Sequence, residues 1–450
     1  MFVRTRLVLQ LLVSAIVSAA PFKDKSVTPT PPTEDPFYQF SDGIDHYAPG
    51  AILRSRPPPS PIAAFGVSPV NLKKAHQILY KTTNTFNQSI ATVLTVLVPH
   101  DADFNKVLSY QVAEDAAFAN CGPSYALQLA SATSGPLGTI ITQAELLLME
   151  AALEQGWVVV VPDHEGPRGA FLANKLAGHA VLDGLRAATG SGELTGIRPD
   201  ANLALWGYSG GSVASSFAAE MQSSYAPELN IVGAAIGGTV PFIRKALGVL
   251  NKGPAAGLIP PGILGLCHEY PELAKTVDQH ILPQYRDSFY KAEKQCFGAD
   301  ALAFPFIDVF AITDDPSIYD TEPALSILNE NSLGNATPTI PLFIYKSILD
   351  ETSLVEDTDQ IVKSYCSKGV SITYQRDLAS EHGILAVTGA PDALLWLRAA
   401  LDGNKPRVGC NTKSVISSLL DPKAGEVLSA VLLGALLDLI GKPVGPVFFG

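Results

Sequence analysis

Three residues, far apart in the chain, have the types and the order needed to activate a hydroxyl: Ser209, Asp350 and His382. A serine hydroxyl is a weak nucleophile until a neighbouring base takes its proton. Ser209 lies in Gly207-Tyr208-Ser209-Gly210-Gly211, a G-x-S-x-G pattern. Such a pattern carries meaning only where a strand turns sharply into a helix. The flanks satisfy that condition. Leu203–Trp206 reads as a buried strand, and Val213–Met221 carries small and apolar residues at helical spacing. A turn this tight needs glycine on both sides of the serine. It also aims the Gly210 amide, at the helix N-terminus, toward a developing oxyanion.

The partners follow from chain order, which in hydrolases of this kind runs serine, acid, histidine. Asp350 directly follows the apolar stretch "IPLFIYKSIL". Of the eight histidines only His382 comes after it, in "LASEHGI". Asp350 would orient and stabilise the imidazole. Glu351 is the competing acid, whereas Asp357 and Asp359 fall on an expected helix and read as solvated charges. A second oxyanion donor must come from a loop after an early strand, and "QVAEDAAFANCGPSYAL" is such a loop, with Asp115 near its start. Its backbone could donate directly; its side chain could donate only if protonated. Asp163, His164 and Glu165 in "VPDHEGP" invite a metal reading. Consecutive side chains rarely converge on one point and no paired ligand motif accompanies them, so neither metal nor cofactor is expected.

The elements that must position these groups alternate. "ATVLTVLVP" and "KVLSYQV" read as neighbouring strands, "TQAELLLMEAALEQG" as a helix, and "WVVVVPD" as a strand buried on both faces. "GHAVLDGLRAAT" is a helix, then come the serine turn and the strand "NIVGAAIGG". This is the pattern of a mostly parallel, doubly wound α/β sheet, with ligands bound at the strands' C-terminal edge. It breaks between about Val240 and Leu333, where helical pieces and prolines read as an insertion, and resumes with "IPLFIYKSI". The expected divisions are a signal peptide at 1–19, a proline-rich lead-in or propeptide at 20–40, and a core at 41–239. A helical cap at 240–323, a second core part at 324–410 and a C-terminal helical segment at 411–450 complete the chain.

Composition narrows the class. The 450 residues are 47% apolar and 16% charged, with a net charge of −12. Nucleic-acid binding, which needs a basic face, is excluded. A short basic region, "MFVRTR", precedes the apolar run "LVLQLLVSAIVSA", and small residues at Val17 and Ala19 favour cleavage near Ala19 and secretion. Secretion permits disulfides among Cys121, Cys267, Cys296, Cys366 and Cys410, four of which can pair. Asn87 and Asn335 begin glycosylation sequons.

Together "EDAAFANCGPSYAL", "WVVVVPDHEGPRGAF", "LWGYSGGSVAS", "IYKSILDETSLVEDTDQIVKSYCSKGVSI" and "EHGILAVTGAPDALLWLRAALDGNKP" make the chain resemble the fungal secretory lipases of the Candida antarctica lipase A type. The resemblance implies an α/β-hydrolase with a cap inserted before the catalytic acid. It puts the triad on Ser209, Asp350 and His382, the oxyanion pair on Asp115 and Gly210, and disulfides at Cys121–Cys296 and Cys366–Cys410. Cys267 is left outside that pattern. The activity implied is hydrolysis of lipid or other carboxylic esters through an acyl-enzyme, by a monomer that meets a lipid–water interface. The alternatives are an esterase for a small acylated metabolite, as in trichothecene ester hydrolases, acyl transfer, a peptidase, and a non-catalytic binding protein on the same fold.

Overall fold

The computed structural model describes residues 28–40, 43–64, 68–131, 138–404, 406–420, 423, 425–427 and 441–446. The expected leader and most of the terminal apolar segment lie outside these. Ten strands form the main sheet: Ile52–Arg56 (β1), Lys74–Thr83 (β2), Ser89–Val98 (β3), Asp103–Gln111 (β4), Trp157–Pro162 (β5), Asn202–Tyr208 (β6), Ile231–Gly237 (β7), Leu342–Ser347 (β8), Ile372–Asp377 (β9) and Cys410–Val415 (β10). Their order across the sheet is β1-β2-β3-β5-β4-β6-β7-β8-β9-β10. From β5 to β10 every pairing is parallel, while β1, β2 and β3 add an antiparallel flank.

The expected neighbours β3 and β4 do not pair, because β5 lies between them. Every residue of β5 is buried. A run of valines apolar on both faces is most stable inside the sheet, with a strand on either side. The expected helix across "TQAELLLMEAALEQG" is divided into Ile140–Ala144 and Leu146–Leu153 (α1). The stretch from Cys410 begins as an edge strand, β10, rather than as a helix.

Helices cover both faces of the sheet. One face packs on Asn174–Gly190 (α2), Gly210–Tyr225 (α3) and Val355–Ser367 (α4), with Leu182, Leu185, Phe217 and Ile361 in its core. The other packs on α1 and on Ala390–Leu401 (α5), around Trp206, Met149, Tyr345 and Leu397. A third cluster is built almost wholly from the segment between β7 and β8, from its helices (Ile243, Leu264, Val277, Phe289) and from the turns that join them (Tyr319). It takes in Ala324, Ile327 and Leu328, past the expected boundary at 323. Two disulfides are present. Cys121–Cys296 ties the loop after β4 to this helical insertion, and Cys366–Cys410 ties α4 to β10. Cys267 is unpaired, and burial, then the Glu293 charge, pushes its thiol up to about 12, so it is a poor nucleophile.

Candidate active site

Because β4, β6, β8 and β9 run parallel, their C-terminal ends share one edge of the sheet. Each delivers one part of the site there: Asp115 after β4, Ser209 after β6, Asp350 after β8 and His382 after β9. Ser209 stands between β6 and α3 with φ 50° and ψ −123°. A non-glycine residue with positive φ is strained, and its surroundings must enforce it. Close packing does so. A Cβ on Gly207 would lie 2.2 Å from the carbonyl oxygen of Gly211, and one on Gly211 would lie 2.0 Å from that of Gln111. The helix therefore begins directly against two strands, and the serine is held above them.

The three distant residues meet. His382 Nε2 is 2.9 Å from Ser209 Oγ, and His382 Nδ1 is 2.6 Å from Asp350 Oδ2. Burial raises the Asp350 carboxyl, but the hydrogen bond and charge of His382, then those of Lys346, outweigh it and hold it well below the usual range. Asp350 is therefore an acceptor at any working pH. Lys346 Nζ is 2.8 Å from Asp350 Oδ2, with both side chains fully buried, and it donates to the Thr239 carbonyl at 2.9 Å. The other carboxylate oxygen accepts the Thr352 hydroxyl (2.7 Å) and the amides of Thr352 (2.9 Å) and Ser353 (3.0 Å). The Thr352 oxygen also lies 2.9 Å from His382 Nδ1.

Glu351, the competing acid, faces the backbone of the histidine: its Oε2 accepts the His382 amide at 2.9 Å. The Tyr208 hydroxyl donates to the His382 carbonyl, so the loop is held from both sides. Asp357 is a correction. It is buried rather than solvated, and receives Lys245 Nζ from the helical insertion at 2.6 Å. Asp359 pairs with Arg376 at 3.3 Å and accepts from Tyr374. Sequence reasoning passed over Thr352, and also Lys346, whose signal was a charged residue in the middle of an apolar strand.

Asp115 is buried, at positive φ, with Oδ1 unpartnered and packed against Gly210, where a Cβ would meet it at 2.0 Å. The buried Glu165 carboxyl, raised chiefly by burial and then by Glu114, lies against the backbone of Asp115 and Ala116. Burial pushes the Asp115 carboxyl up to about 7; His164 lowers it and Glu114 raises it. Asp163 binds the amide (2.7 Å) and hydroxyl of Ser124, and His164 Nδ1 stands 3.0 Å from Glu114 Oε1. The three consecutive residues thus serve separate partners and brace the loop after β4. Among the described residues no group of three or more His, Cys, Asp or Glu is arranged to hold a metal ion.

Two cavities meet at Ser209. One, of about 90 Å³, runs into the helical insertion past Gly210, Val213, Ile243, Leu247 and Ile263. The other, of about 470 Å³, opens on the His382 side.

An α/β-hydrolase fold with a serine, histidine and carboxylate in this arrangement defines the class of serine hydrolases. The comparisons narrow it. Residues 131–409 match the secretory lipase family. Lipase A of Arthroderma benhamiae is 52% identical over 421 residues, covering 93% of this chain and 90% of that one. A Mycobacterium tuberculosis protein whose name begins "Probable inactive lipase" is 37% identical over 420 residues, 92% of either chain. The crystal structure of Candida antarctica lipase A in its closed state superposes with a TM-score of 0.80 at 30% identity, covering 94% of this chain and all of that one. The chain belongs to the secretory lipase family.

Proposed function

We propose that this protein is a secreted lipase that cleaves long-chain carboxylic esters through a Ser209 acyl-enzyme. The observation that carries the reading is the continuous hydrogen-bonded line Ser209–His382–Asp350. Ser209 Oγ attacks the ester carbonyl carbon and gives its proton to His382 Nε2. The carbonyl oxygen becomes an oxyanion and takes hydrogen bonds from the Gly210 amide and from Asp115. Asp115 can supply its backbone amide or, with its carboxyl raised by burial to about 7, a carboxylic O–H. The C–O bond to the alcohol then breaks, and the leaving oxygen takes the proton from His382. Water, activated by the same histidine, releases the acid.

Residues 240–323 serve as the cap over a core formed by 41–239 and 324–410, and the apolar walls of the narrow cavity inside the cap, about 90 Å³ as it stands, suit the near end of the acyl chain. An intact triad separates this chain from a binding protein on a hydrolase fold. Secretion through cleavage near Ala19 accords with the two disulfides. The substrate is met at a lipid surface, and the working unit is the monomer. Of the two sequons, Asn87 is exposed at a hairpin tip, whereas the Asn335 amide nitrogen is occupied by the carbonyls of Asn329, Glu330 and Ser332. Glycan is expected on Asn87. A glycosidase-sensitive mass that persists in Asn87→Gln would refute this.

The functional test is hydrolysis of p-nitrophenyl esters from acetate to palmitate by the purified protein and by Ser209→Ala. Wild type should favour long chains, and the variant should lose on the order of 10⁴–10⁶-fold in kcat. Equal rates for the two proteins would end the serine mechanism. A preference for acetate would point to a small-metabolite esterase.

A further inference from the structure

Both cavities reach Ser209, but only the larger is lined by His382. The smaller touches Ser209 and Gly210 but not the His382 ring. The larger is lined by His382, Gly383, Ala386 and Val387 on one wall and by Ala144, Leu148 and Ala151 on the other. The alcohol oxygen of an ester must leave from beside the group that protonates it, and that group is His382 Nε2. The acyl chain, which stays on Ser209, then takes the other direction. We infer, resting on the ester-hydrolase reading above, that the 470 Å³ cavity is the binding site for the alcohol part of the substrate. The enzyme is thereby matched to esters whose alcohol is itself large and apolar, such as a long-chain alkanol, rather than to methyl or ethyl esters.

Size and chemistry agree. The volume falls within the range of about 300–1,000 Å³ occupied by sites for sizeable small molecules. A methoxy group would leave most of it to water in contact with apolar walls. Among the described residues three carboxyls touch the cavity: Asp115, Glu351 and Glu145. Asp115 and Glu351 are committed to the catalytic end. Glu145 forms the far wall, accepting the Tyr110 hydroxyl at 2.8 Å and the Ala113 amide at 3.0 Å. It opens onto the cavity yet lies deep in the protein, and burial pushes its carboxyl up to about 8. Burial thus keeps that wall largely uncharged at neutral pH, and each of its oxygens accepts one hydrogen bond.

The test compares two esters of one acid, methyl laurate and dodecyl laurate, dispersed in the same detergent. Wild type should prefer the dodecyl ester in kcat/KM. Ala386→Phe and Ala144→Phe, which fill the cavity from opposite walls, should each lower the dodecyl-to-methyl ratio at least tenfold. Ala246→Phe, which narrows the cap-side cavity, should instead shift the preferred acid length and leave that ratio in place. A ratio unmoved by either cavity-filling variant, with hydrolysis still dependent on Ser209, overturns the alcohol site alone. Absence of any Ser209-dependent hydrolysis overturns the ester-hydrolase reading and this assignment with it.

Discussion

Asp115 is the residue at which one proton should decide the rate. Its neutral form can donate to the oxyanion, while its ionised form would set a negative charge against it. Since burial raises this carboxyl to about 7, kcat should fall as pH rises through that value. Asp115→Asn keeps a donor that does not titrate, so the alkaline fall should disappear. Asp115→Ala should lose about 10²- to 10³-fold below pH 7, with the gap to wild type closing as pH rises above it. Rates measured from pH 5 to 9 give the answer: a wild-type profile flat through pH 9 would mean that the side chain is not the donor. The triad was legible in the sequence because its order and strand-end positions restrict the choice. The supports of Asp350 were not. Thr352 acts through a hydroxyl that any surface threonine also carries, and Lys346, although a charged residue in an apolar strand, shows its partner only once that strand is buried.

At the scale of the element, the turn from β6 into α3 sets two tendencies against each other. Alanine in a helix is favoured over glycine by roughly 0.5–1 kcal/mol. At Gly211, however, its Cβ would stand 2.0 Å from the Gln111 carbonyl. Two backbones cannot yield that distance without separating the helix from the sheet, so the clash wins. Gly211→Ala should be less stable than wild type in urea unfolding, and its activity should fall with Ser209 displaced. A gain in stability would show that propensity governs the turn. This element was readable because its glycines are punctuation. The strand order was less so. β2 carries Gln77, Lys81 and Thr82 as buried residues, so no alternation marked it, and their partners Ser124 and Asp183 lie far along the chain. The place of β5 between β3 and β4 depends on pairing partners that local pattern does not contain.

Over the whole molecule, buried carboxyls outnumber the charges available to them. Asp115, Glu145, Asp163, Glu165, Asp183, Glu220 and Asp300 are all raised, each chiefly by burial. A carboxyl raised on folding binds more protons in the folded state than in the unfolded chain between about pH 4 and its folded value. Stability should therefore increase as pH falls from about 8 toward 4. Asp350 has the opposite sign, but its loss begins only below that window, whereas His179, lowered by burial to about 4, and His76, also lowered chiefly by burial, offset part of the gain below about pH 6.5. Thermal unfolding followed from pH 4.5 to 8 should give the highest Tm at the acidic end, and a maximum at pH 8 would contradict the account. Acidification also reduces the self-repulsion of a chain carrying −12. The Cys121–Cys296 bond bears on mechanics rather than on stability alone. It joins the helical insertion to the loop that carries Asp115, 175 residues earlier in the chain. With the chain entering after β7 and returning before β8, the insertion is moored at three points. A body moored so is limited in how far it can swing from the sheet; on the reading proposed above, reducing this one bond should loosen the insertion over the site and make the enzyme less selective for its ester chain.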